Sequence, residues 1–358
     1  MRDVLSDLQA WLAQGKAVAL ATVVSTWGSA PRPAGSKMLI DQDGAMVGSV
    51  SAGCVEGAVV EEALGVLRTG RPRLLRYGVA DDTAWQLGLA CGGEIRVLVE
   101  PVSGLLAQPG AFERWAAAIA ERRSAVRAVV VGGPEAMIGS SRLVDGTGAD
   151  GSTPPSQLTA AMEADGRELL ASGSPEVRIY PQPEAEVEVF FDVDRPPPLL
   201  VIVGAVHIGV ALCRLAKAAG YRVVVIDPRR GFNTAERLPE ADDRLILWPD
   251  EALDSLGVTD GTAVAILSHD PKIDDPAVIA ALRSPAFYVG ALGSKRTNRL
   301  RHERLLEAGL TEEELGRLYA PIGLDIGGRA PEEIALSILA QIVGVRSGSE
   351  LGLRSTNN

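Results

Sequence analysis

Cysteine is scarce in this sequence. The 358 residues include three cysteines, Cys54, Cys91 and Cys213. No two of them form a Cys-x-x-Cys pair, and an odd number cannot pair completely, so neither a disulfide framework nor a zinc finger is indicated. We therefore expect the protein to work in the reducing environment of the cytoplasm.

Positive charge and long apolar runs are also in short supply. Lys and Arg number 35 against 46 Asp and Glu, a net charge of −11, which argues against non-specific binding to nucleic acid or to anionic membranes. The longest apolar run, residues 199–213, is interrupted by glycines and a histidine and is too short to span a bilayer. Residues 1–12 are acidic and amphipathic, unlike a signal peptide. We expect a soluble protein with neither nucleic acid nor membrane as a partner.

The length of the chain and one proline-rich stretch predict its domain organisation. A chain of 358 residues is too long for one typical hydrophobic core. Residues 192–198, Asp-Val-Asp-Arg-Pro-Pro-Pro, are predicted to form a stiff extended linker. We predict an α/β protein with a mixed α+β domain over residues 1–191 and, over residues 199–345, a Rossmann-like doubly wound parallel sheet. Residues 346–358 are expected to be a disordered tail.

A small-residue turn that leads into a helix is the most distinctive feature of the first domain. It spans Gly48–Leu64, with Cys54 preceded by Gly53 and followed by Glu56. The amino end of a helix offers unpaired N–H groups and a positive dipole, and a thiol placed there gains thiolate character. A thiolate is a nucleophile or a metal ligand. The alternative is a small buried cysteine in a tight turn.

Two further stretches of the first domain carry candidate chemistry. Residues 25–36 are rich in Gly, Pro and Ser, and Arg32 and Lys37 are placed to meet an anion, unless both are ordinary solvated charges. Cys91 lies in a second glycine-flanked turn, 91 − 54 = 37 residues after Cys54, a separation that specifies no metal geometry. Farther along, residues 136–143 are predicted as a strand and residues 145–156 as a loop.

Alternating strands and helices begin at Leu199. The turn Gly204-Ala-Val-His-Ile-Gly209 joins a strand to a helix, and Asp227 follows 227 − 204 = 23 residues after the first glycine. This spacing is typical of a dinucleotide-binding βαβ unit, so NAD(P) is a candidate cofactor. Val206 argues against NAD(P) binding, because a side chain at this position should obstruct the approach of the pyrophosphate. Asp227 either holds a ribose hydroxyl or is a turn residue at the end of a strand.

Three later loops add polar groups at the predicted carboxyl edge of the parallel sheet, where doubly wound folds bind ligands. His269 and Asp270 follow one strand directly. Ser294 can cap a helix whose first residues, Lys295 and Arg296, either share an anion with the helix N–H groups or are merely exposed. A Gly-rich turn brings Asp325 to the start of a further helix, unless that turn only caps the helix.

Several blocks of the sequence together resemble the xanthine dehydrogenase accessory family (XdhC/CoxI). In the first domain they are Gly28-Ser-Ala-Pro-Arg-Pro-Ala-Gly-Ser-Lys-Met38, Gly48-Ser-Val-Ser-Ala-Gly-Cys-Val-Glu-Gly57 and Leu89-Ala-Cys-Gly-Gly93. In the second they are Ser268-His-Asp-Pro-Lys272, Gly290-Ala-Leu-Gly-Ser-Lys-Arg296 and Pro321-Ile-Gly-Leu-Asp-Ile-Gly327. The chain departs from the family pattern at Ala52 and Val206, where the family has glycine, whereas His207 matches it.

The resemblance implies a maturation chaperone for molybdenum hydroxylases. Such a protein holds the molybdenum cofactor (molybdopterin), supports its sulfuration with a cysteine desulfurase and helps to deliver it to a xanthine dehydrogenase-type or carbon monoxide dehydrogenase-type apo-enzyme. Cys54 is then the candidate to bind molybdenum or relay sulfur, with Cys91 as second choice, since soft thiolates suit such a metal. The protein would be a homodimer, and a cofactor chaperone rather than an enzyme.

The predicted cofactor-binding residues fall into two groups, which we expect to face one ligand between the two domains. The first group is Arg32, Lys37, Gly53, Cys54, Glu56 and Cys91. The second group is Gly204, His207, Gly209, Asp227, His269, Asp270, Ser294, Lys295, Arg296 and Asp325. Two other functions stay open at this point: an NAD(P)-dependent oxidoreductase that uses the Rossmann unit, and a non-catalytic scaffold that has lost ligand binding.

Overall fold

The computed structural model describes residues 1–28, 32–78, 93–107, 110–152, 156–183 and 185–349. The chain divides into two compact units, Met1–Pro196 and a second that begins at Pro197. The strands of the first unit are β1 (Val18–Trp27), β2 (Lys37–Asp41), β3 (Met46–Gly48), β4 (Arg73–Tyr77), β5 (Glu94–Pro101), β6 (Ala125–Gly132), β7 (Ser141–Asp145), β8 (Gly148–Gly151), β9 (Glu176–Tyr180) and β10 (Val187–Asp194). Its helices are α1 (Leu5–Ala13), α2 (Glu56–Thr69), α3 (Val102–Leu106), α4 (Ala111–Ala120) and α5 (Gln157–Ser172).

The second unit alternates strands with helices. Its strands are β11 (Leu199–Val203), β12 (Arg222–Ile226), β13 (Asp243–Leu245), β14 (Thr262–Ile266), β15 (Tyr288–Ala291) and β16 (Leu318–Tyr319). Its helices are α6 (His207–Ala218), α7 (Pro249–Leu256), α8 (Pro271–Arg283), α9 (Lys295–Glu307), α10 (Glu312–Leu315) and α11 (Pro331–Arg346). Within the described residues, no helix is both long enough and apolar enough to cross a membrane.

An antiparallel sheet in the order β3-β2-β1-β5-β4 forms the first part of unit one. Helix α2 packs on one face of it through Val59, Ala63 and Val66, which join a cluster with the apolar residues of the sheet. The 3- and 4-residue spacing of these side chains places them on one stripe of the helix. Gly70 ends α2 in the left-handed conformation, with φ of 69° and its N–H bonded to the carbonyl of Val66, as a helix stop requires.

A second antiparallel sheet, in the order β8-β7-β6-β10-β9, completes this unit. An apolar cluster that includes Val24 and Leu98 of the first sheet and Val129 and Phe190 of the second holds the two sheets together. Polar groups also cross between them: the Arg127 guanidinium donates to both oxygens of Glu100 at 2.5 and 2.7 Å. This pair is buried, so it acts as a fixed connection rather than as a solvated surface pair.

The structure corrects two predicted elements of the second sheet. The predicted strand over residues 136–143 forms only from Ser141 to Asp145, because a short 3-10 turn and a left-handed Gly139 (φ 85°) precede it. The predicted loop over residues 145–156 contains the strand β8, which pairs antiparallel with β7. Glycines at both ends of β8 hid the strand in the sequence, since glycine is depleted in strands.

The second unit is a parallel sheet in the order β13-β12-β11-β14-β15-β16, which is the Rossmann order 3-2-1-4-5-6. Its two faces carry separate apolar clusters, one with α6 and α11 and the other with α7, α8 and α9. The strand order reverses between β11 and β14, so the ligand crevice of such a fold lies beyond Val203 and Ile266. The predicted fold class is confirmed in both units.

Candidate functional site

Three connections leave the first sheet at the same end. They are residues 28–36 between β1 and β2, residues 49–55 between β3 and α2, and residues 78–93 between β4 and β5. The register shows this, because the residues that flank the connections are paired: Trp27 with Glu94, Tyr77 with Ile95, and Met38 with Gly48. Cys91 itself lies outside the described residues. The described residues that flank the three sequence blocks of the first domain therefore lie at one end of one sheet.

The turn that carries Cys54 is sharply folded. Ala52 and Gly53 both lie in the positive-φ region, at 59° and 115°. The hydroxyl of Ser49 accepts the N–H of Ala52 at 2.8 Å, and the hydroxyl of Ser51 accepts the N–H of Val55 at 2.9 Å. Such side-chain bonds hold the backbone away from regular helix until α2 begins.

Cys54 is half-buried at the tip of this turn. One side of it packs against the apolar cluster beneath α2, which includes Val50 and Val55, while Ala52 and Gly53 beside it are exposed. The Cys54 residue is thus partly accessible and is held on a turn fixed by side-chain hydrogen bonds. By contrast, Cys213 is buried in α6, and burial raises the pKa of its thiol to about 11, as expected of a packing residue. Cys54 is therefore the more exposed of the two cysteines that the structure describes.

Glu56 fills the inside of the same turn. Its Oε1 accepts the Ser49 hydroxyl at 2.7 Å and the N–H groups of Val50 and Ser51 at 3.2 and 2.8 Å. Its Oε2 accepts the Ser51 hydroxyl at 2.5 Å and the N–H of Gly53 at 2.8 Å. Burial acts to raise the pKa of Glu56, but these hydrogen bonds outweigh burial and lower it to about 2. The carboxylate therefore binds its own turn rather than facing a ligand.

The low pKa of Glu56 predicts acid sensitivity. The folded-state pKa of about 2 lies below the ordinary value of 4.5, so the stabilisation is complete above about pH 5 and disappears as the pH falls toward 2. We expect Glu56→Gln to reduce, by about 2 kcal/mol, the loss in the free energy of unfolding that acidification causes in this pH range. Denaturant unfolding at pH 3, 4, 5 and 7 would measure it. Glu61→Gln, an exposed change on the same helix, should leave the profile unaltered; parallel profiles for wild type and Glu56→Gln would contradict the prediction.

Lys37 has a different environment from the one predicted for an anion-binding cation. Its Nζ lies 2.8 and 2.7 Å from the two carboxylate oxygens of Asp192 and donates to the carbonyl of Gly35 at 3.0 Å. The Lys37 side chain is 3% exposed and that of Asp192 4%, and the ammonium lies 5.9 Å from the centre of the Trp115 ring. Lys37 therefore joins β2 to β10 of the second sheet.

Arg32 is the remaining described cation of this group. It is half-buried, and its Nε atom is enclosed without a hydrogen-bond partner in the part of the chain that the structure describes. A buried donor without an acceptor is unfavourable by about 1–3 kcal/mol. Among the described residues, the Nε of Arg32 thus still has a hydrogen bond to donate, whereas the Nζ of Lys37 already binds Asp192 and the Gly35 carbonyl.

Close backbone packing shapes the Rossmann turn. Gly204 has φ of 106°, and a Cβ there would lie 2.7 Å from the Ser268 amide nitrogen, while a Cβ on Gly209 would lie 2.5 Å from the Gly204 carbonyl oxygen. Only glycine fits either position. Val206 precedes α6 in an extended conformation and packs against the core cluster. His207, the first residue of α6, is exposed at the crevice.

Both carboxylate oxygens of Asp227 accept hydrogen bonds from neighbouring groups of the protein. Its Oδ1 accepts the backbone N–H of Arg229 at 3.0 Å and Nε at 2.8 Å. Its Oδ2 accepts the N–H of Ala205 at 2.9 Å and the Arg229 Nη2 at 2.7 Å. Burial acts to raise the pKa of Asp227, but the bonds from Arg229 and Ala205 lower it overall. With two donors on each oxygen and no solvent exposure, this carboxylate has no free acceptor for a ribose diol.

A buried polar network braces the second loop of the crevice. The Ser268 hydroxyl donates to Asp274 at 2.6 Å, and Asp274 also accepts Arg301 Nη2 at 2.9 Å. Burial raises the pKa of Asp274 against these bonds. His269 is exposed with φ of 65°, and Asp270 caps α8 by accepting the Lys272 N–H at 3.0 Å. The loop is thereby held with its histidine outward.

The last predicted residues lie on the surface of the same unit. Ser294 caps α9 by accepting the Thr297 N–H at 3.1 Å, and Lys295 and Arg296 are exposed in its first turn. Asp325 is exposed between β16 and α11. Among the described residues, no three His, Cys, Asp or Glu side chains gather into a metal-binding cluster. The prediction that both groups of residues face one ligand stays a prediction.

Sequence reasoning missed the residues that hold these turns. Ser49 and Ser51 organise the Cys54 turn, Arg229 neutralises Asp227, and Asp274 with Arg301 braces the His269 loop. For Ser49 and Ser51 no capping pattern was available, because they lie seven and five residues before Glu56 and the helix itself begins without a side-chain cap. For Arg301, 27 residues from Asp274 in the chain, no local signal exists.

Comparisons with known proteins agree with this architecture. The family model described as the XdhC and CoxI family matches residues 11–78, and that of the XdhC Rossmann domain matches residues 200–342. The molybdenum cofactor insertion chaperone PaoD of Escherichia coli K12 is 31% identical over 350 residues, 98% of this chain and 90% of that protein. A Bacillus subtilis 168 protein described as a probable xanthine dehydrogenase subunit is 27% identical, over 95% of this chain and 96% of that protein.

A solved structure is similar over the same extent. The crystal structure of a protein described as a xanthine dehydrogenase from Bacillus halodurans superposes with a TM-score of 0.75 and 25% identity, covering 98% of this chain and 97% of the other. The resemblance stated from the sequence blocks is thus confirmed by full-length similarity. The chain belongs to the XdhC and CoxI family.

Proposed function

We propose that this protein is a maturation chaperone that binds the molybdenum cofactor and inserts it into an apo-enzyme of the xanthine dehydrogenase type. The name of the 31% identical relative, a molybdenum cofactor insertion chaperone, supports this role. In this proposal the protein is a non-enzymatic accessory factor, and the cofactor is its cargo. The observation that carries the proposal is the half-buried Cys54 thiol on a preformed turn, at the sheet end where the described residues that flank the other two sequence blocks also lie.

The chemistry of the first unit fits such a cargo. The cofactor is an organic phosphate with a metal bound through dithiolene sulfur, so a binding site needs a soft donor and a cation. Cys54 supplies the soft sulfur. Arg32, whose Nε has no hydrogen-bond partner among the described residues, is the proposed phosphate partner, whereas Lys37 is already neutralised by Asp192. Cys54 would hold the cargo, and the exposed Gly53 would let it approach the backbone.

Further steps belong to the same proposal. A cysteine desulfurase would donate the sulfur that the cargo needs before insertion, a homodimer would be the working form, and the cytoplasm its location. The Rossmann unit supports the proposal in a different way. Asp227 is fully buried and its carboxylate oxygens already accept hydrogen bonds from Ala205 and Arg229, which argues against an NAD-dependent oxidoreductase, since recognition of the NAD ribose diol needs a free carboxylate.

Cargo content and transfer test the proposal directly. The protein purified from a molybdate-supplied host should carry pterin and molybdenum in near-equal amounts, measured by fluorescence of the oxidised pterin and by mass spectrometry of the metal. Addition of the loaded protein to a molybdenum-free xanthine-oxidising apo-enzyme should restore activity, whereas protein stripped of cargo should not. Absence of pterin together with saturable binding of NADH, seen by nicotinamide fluorescence, would refute the proposal.

A further inference from the structure

The backbone N–H groups of the Cys54 turn are directed inward. The turn amides of Val50, Ser51 and Gly53 all donate to Glu56, at 3.2, 2.8 and 2.8 Å. A turn with this many converging N–H groups is normally an anion site. Here the anion is a side chain of the protein itself, so these amides are closed to an external phosphate, and the thiol is the group that the turn presents.

The conformation of the turn depends on this internal anion. Ala52 carries a side chain at φ of 59°, a region that non-glycine residues adopt only when neighbouring contacts hold them there. The N–H of Ala52 donates to the Ser49 hydroxyl, and that hydroxyl donates to Glu56 Oε1. The N–H of the next residue, Gly53, donates to Glu56 Oε2. Both residues ahead of Cys54 are therefore tied to one carboxylate.

We propose that Glu56 is a positioning residue for the Cys54 thiol: its carboxylate holds the turn in the one conformation in which the sulfur is presented to the cargo. This inference rests on the proposed function. It assigns Glu56 no contact with the cargo. It also accounts for a carboxylate at this place, because the neutral amide of glutamine cannot accept all five hydrogen bonds.

The amide of glutamine is the sharpest probe of this geometry. In Glu56→Gln one oxygen becomes an NH₂ group, which can accept no hydrogen bond. Whichever way the amide is oriented, either Gly53 on one side or Val50 and Ser51 on the other face a donor in place of an acceptor. The hydroxyls of Ser49 and Ser51 can rotate to compensate, but a backbone N–H cannot. Glu61→Gln removes the same charge from an exposed position of the same helix and is the matched control.

Thiol chemistry and cargo content together test the proposal. The rate of Cys54 alkylation by iodoacetamide would be measured from pH 6 to 10 by peptide mass spectrometry, which separates Cys54 from the other two cysteines. We expect Glu56→Gln to change the rate at least threefold, to shift its pH profile and to lower the retained pterin at least fivefold. Glu61→Gln should match wild type in all three. A purely structural Glu56 would lower the melting temperature and leave the profile and the pterin content unchanged, which would overturn the inference.

Two further variants keep the outcomes separate. If Glu56→Gln fails to fold, Ser49→Ala tests the inference in its place. It removes one hydrogen bond to Glu56 Oε1 and the acceptor of the Ala52 N–H, while the carboxylate stays. An alkylation profile equal to that of wild type would then refute the inference. Loss of pterin in Cys54→Ser with full retention in Glu56→Gln would refute the positioning role alone. Retention of pterin in Cys54→Ser would instead refute Cys54 as the cargo site of the proposed function.

Discussion

Cys54→Ser is expected to lower the molybdenum and pterin that co-purify with the protein at least tenfold. Serine preserves the size and polarity of the side chain but replaces a soft sulfur donor with a hydroxyl, which is a poor ligand for a sulfur-rich metal centre. Because Cys54 is half-buried at the tip of a turn, the substitution should leave the melting temperature nearly unchanged. Metal mass spectrometry and pterin fluorescence on matched preparations would measure the loss.

Cys213→Ser is the matched control for this experiment. Cys213 lies on α6 and is buried in the core cluster, and its raised pKa of about 11 keeps the thiol protonated. The serine variant should retain its cargo but lose on the order of 1–2 kcal/mol of stability, since a hydroxyl is placed among apolar side chains. Equal cargo in wild type and Cys54→Ser would exclude Cys54 as the site and redirect the search to the Rossmann crevice.

Lys37→Met is expected to lower the free energy of unfolding by about 3–5 kcal/mol, because it removes the cation in direct contact with the buried carboxylate of Asp192. Burial acts to raise the pKa of Asp192, while the charge of Lys37 lowers it overall, so the Asp192 carboxylate is ionised in the folded protein. Urea unfolding at pH 7, followed by far-ultraviolet circular dichroism, would measure the change.

Two comparisons make the Lys37 result decisive. Arg68→Met removes an exposed cation of α2 and should alter stability by no more than about 0.5 kcal/mol. Lys37→Met combined with Asp192→Asn should recover part of the loss, since the unpaired charge is gone. Unaltered stability in Lys37→Met, accompanied by loss of pterin, would show that Lys37 serves the cargo as the sequence predicted, and not the junction between the sheets.

The Rossmann unit was predictable from the sequence because its signals are local. Valine- and isoleucine-rich strands such as Arg222–Ile226 alternate with helices whose apolar positions repeat every three to four residues, and each pattern is complete within a dozen residues. The helix start after Cys54 was predictable for the same reason. The strand at residues 148–151 was not, because its glycines carry no strand preference and its partner, β7, defines it.

The sequence by itself determined the family, the fold class and the position of one thiol ahead of a helix. The tertiary structure decided which charged residues remain available to a ligand. The Lys37 ammonium is paired with Asp192, 155 residues away. The Glu56 carboxylate accepts hydrogen bonds from the amides of its own turn. The Asp227 carboxylate accepts them from Arg229 and from the Ala205 amide. A sequence shows that a carboxylate or an ammonium is present. Only the folded chain shows whether that group already has hydrogen-bond partners within the protein, because a buried charge is stable only beside partners that the fold brings to it.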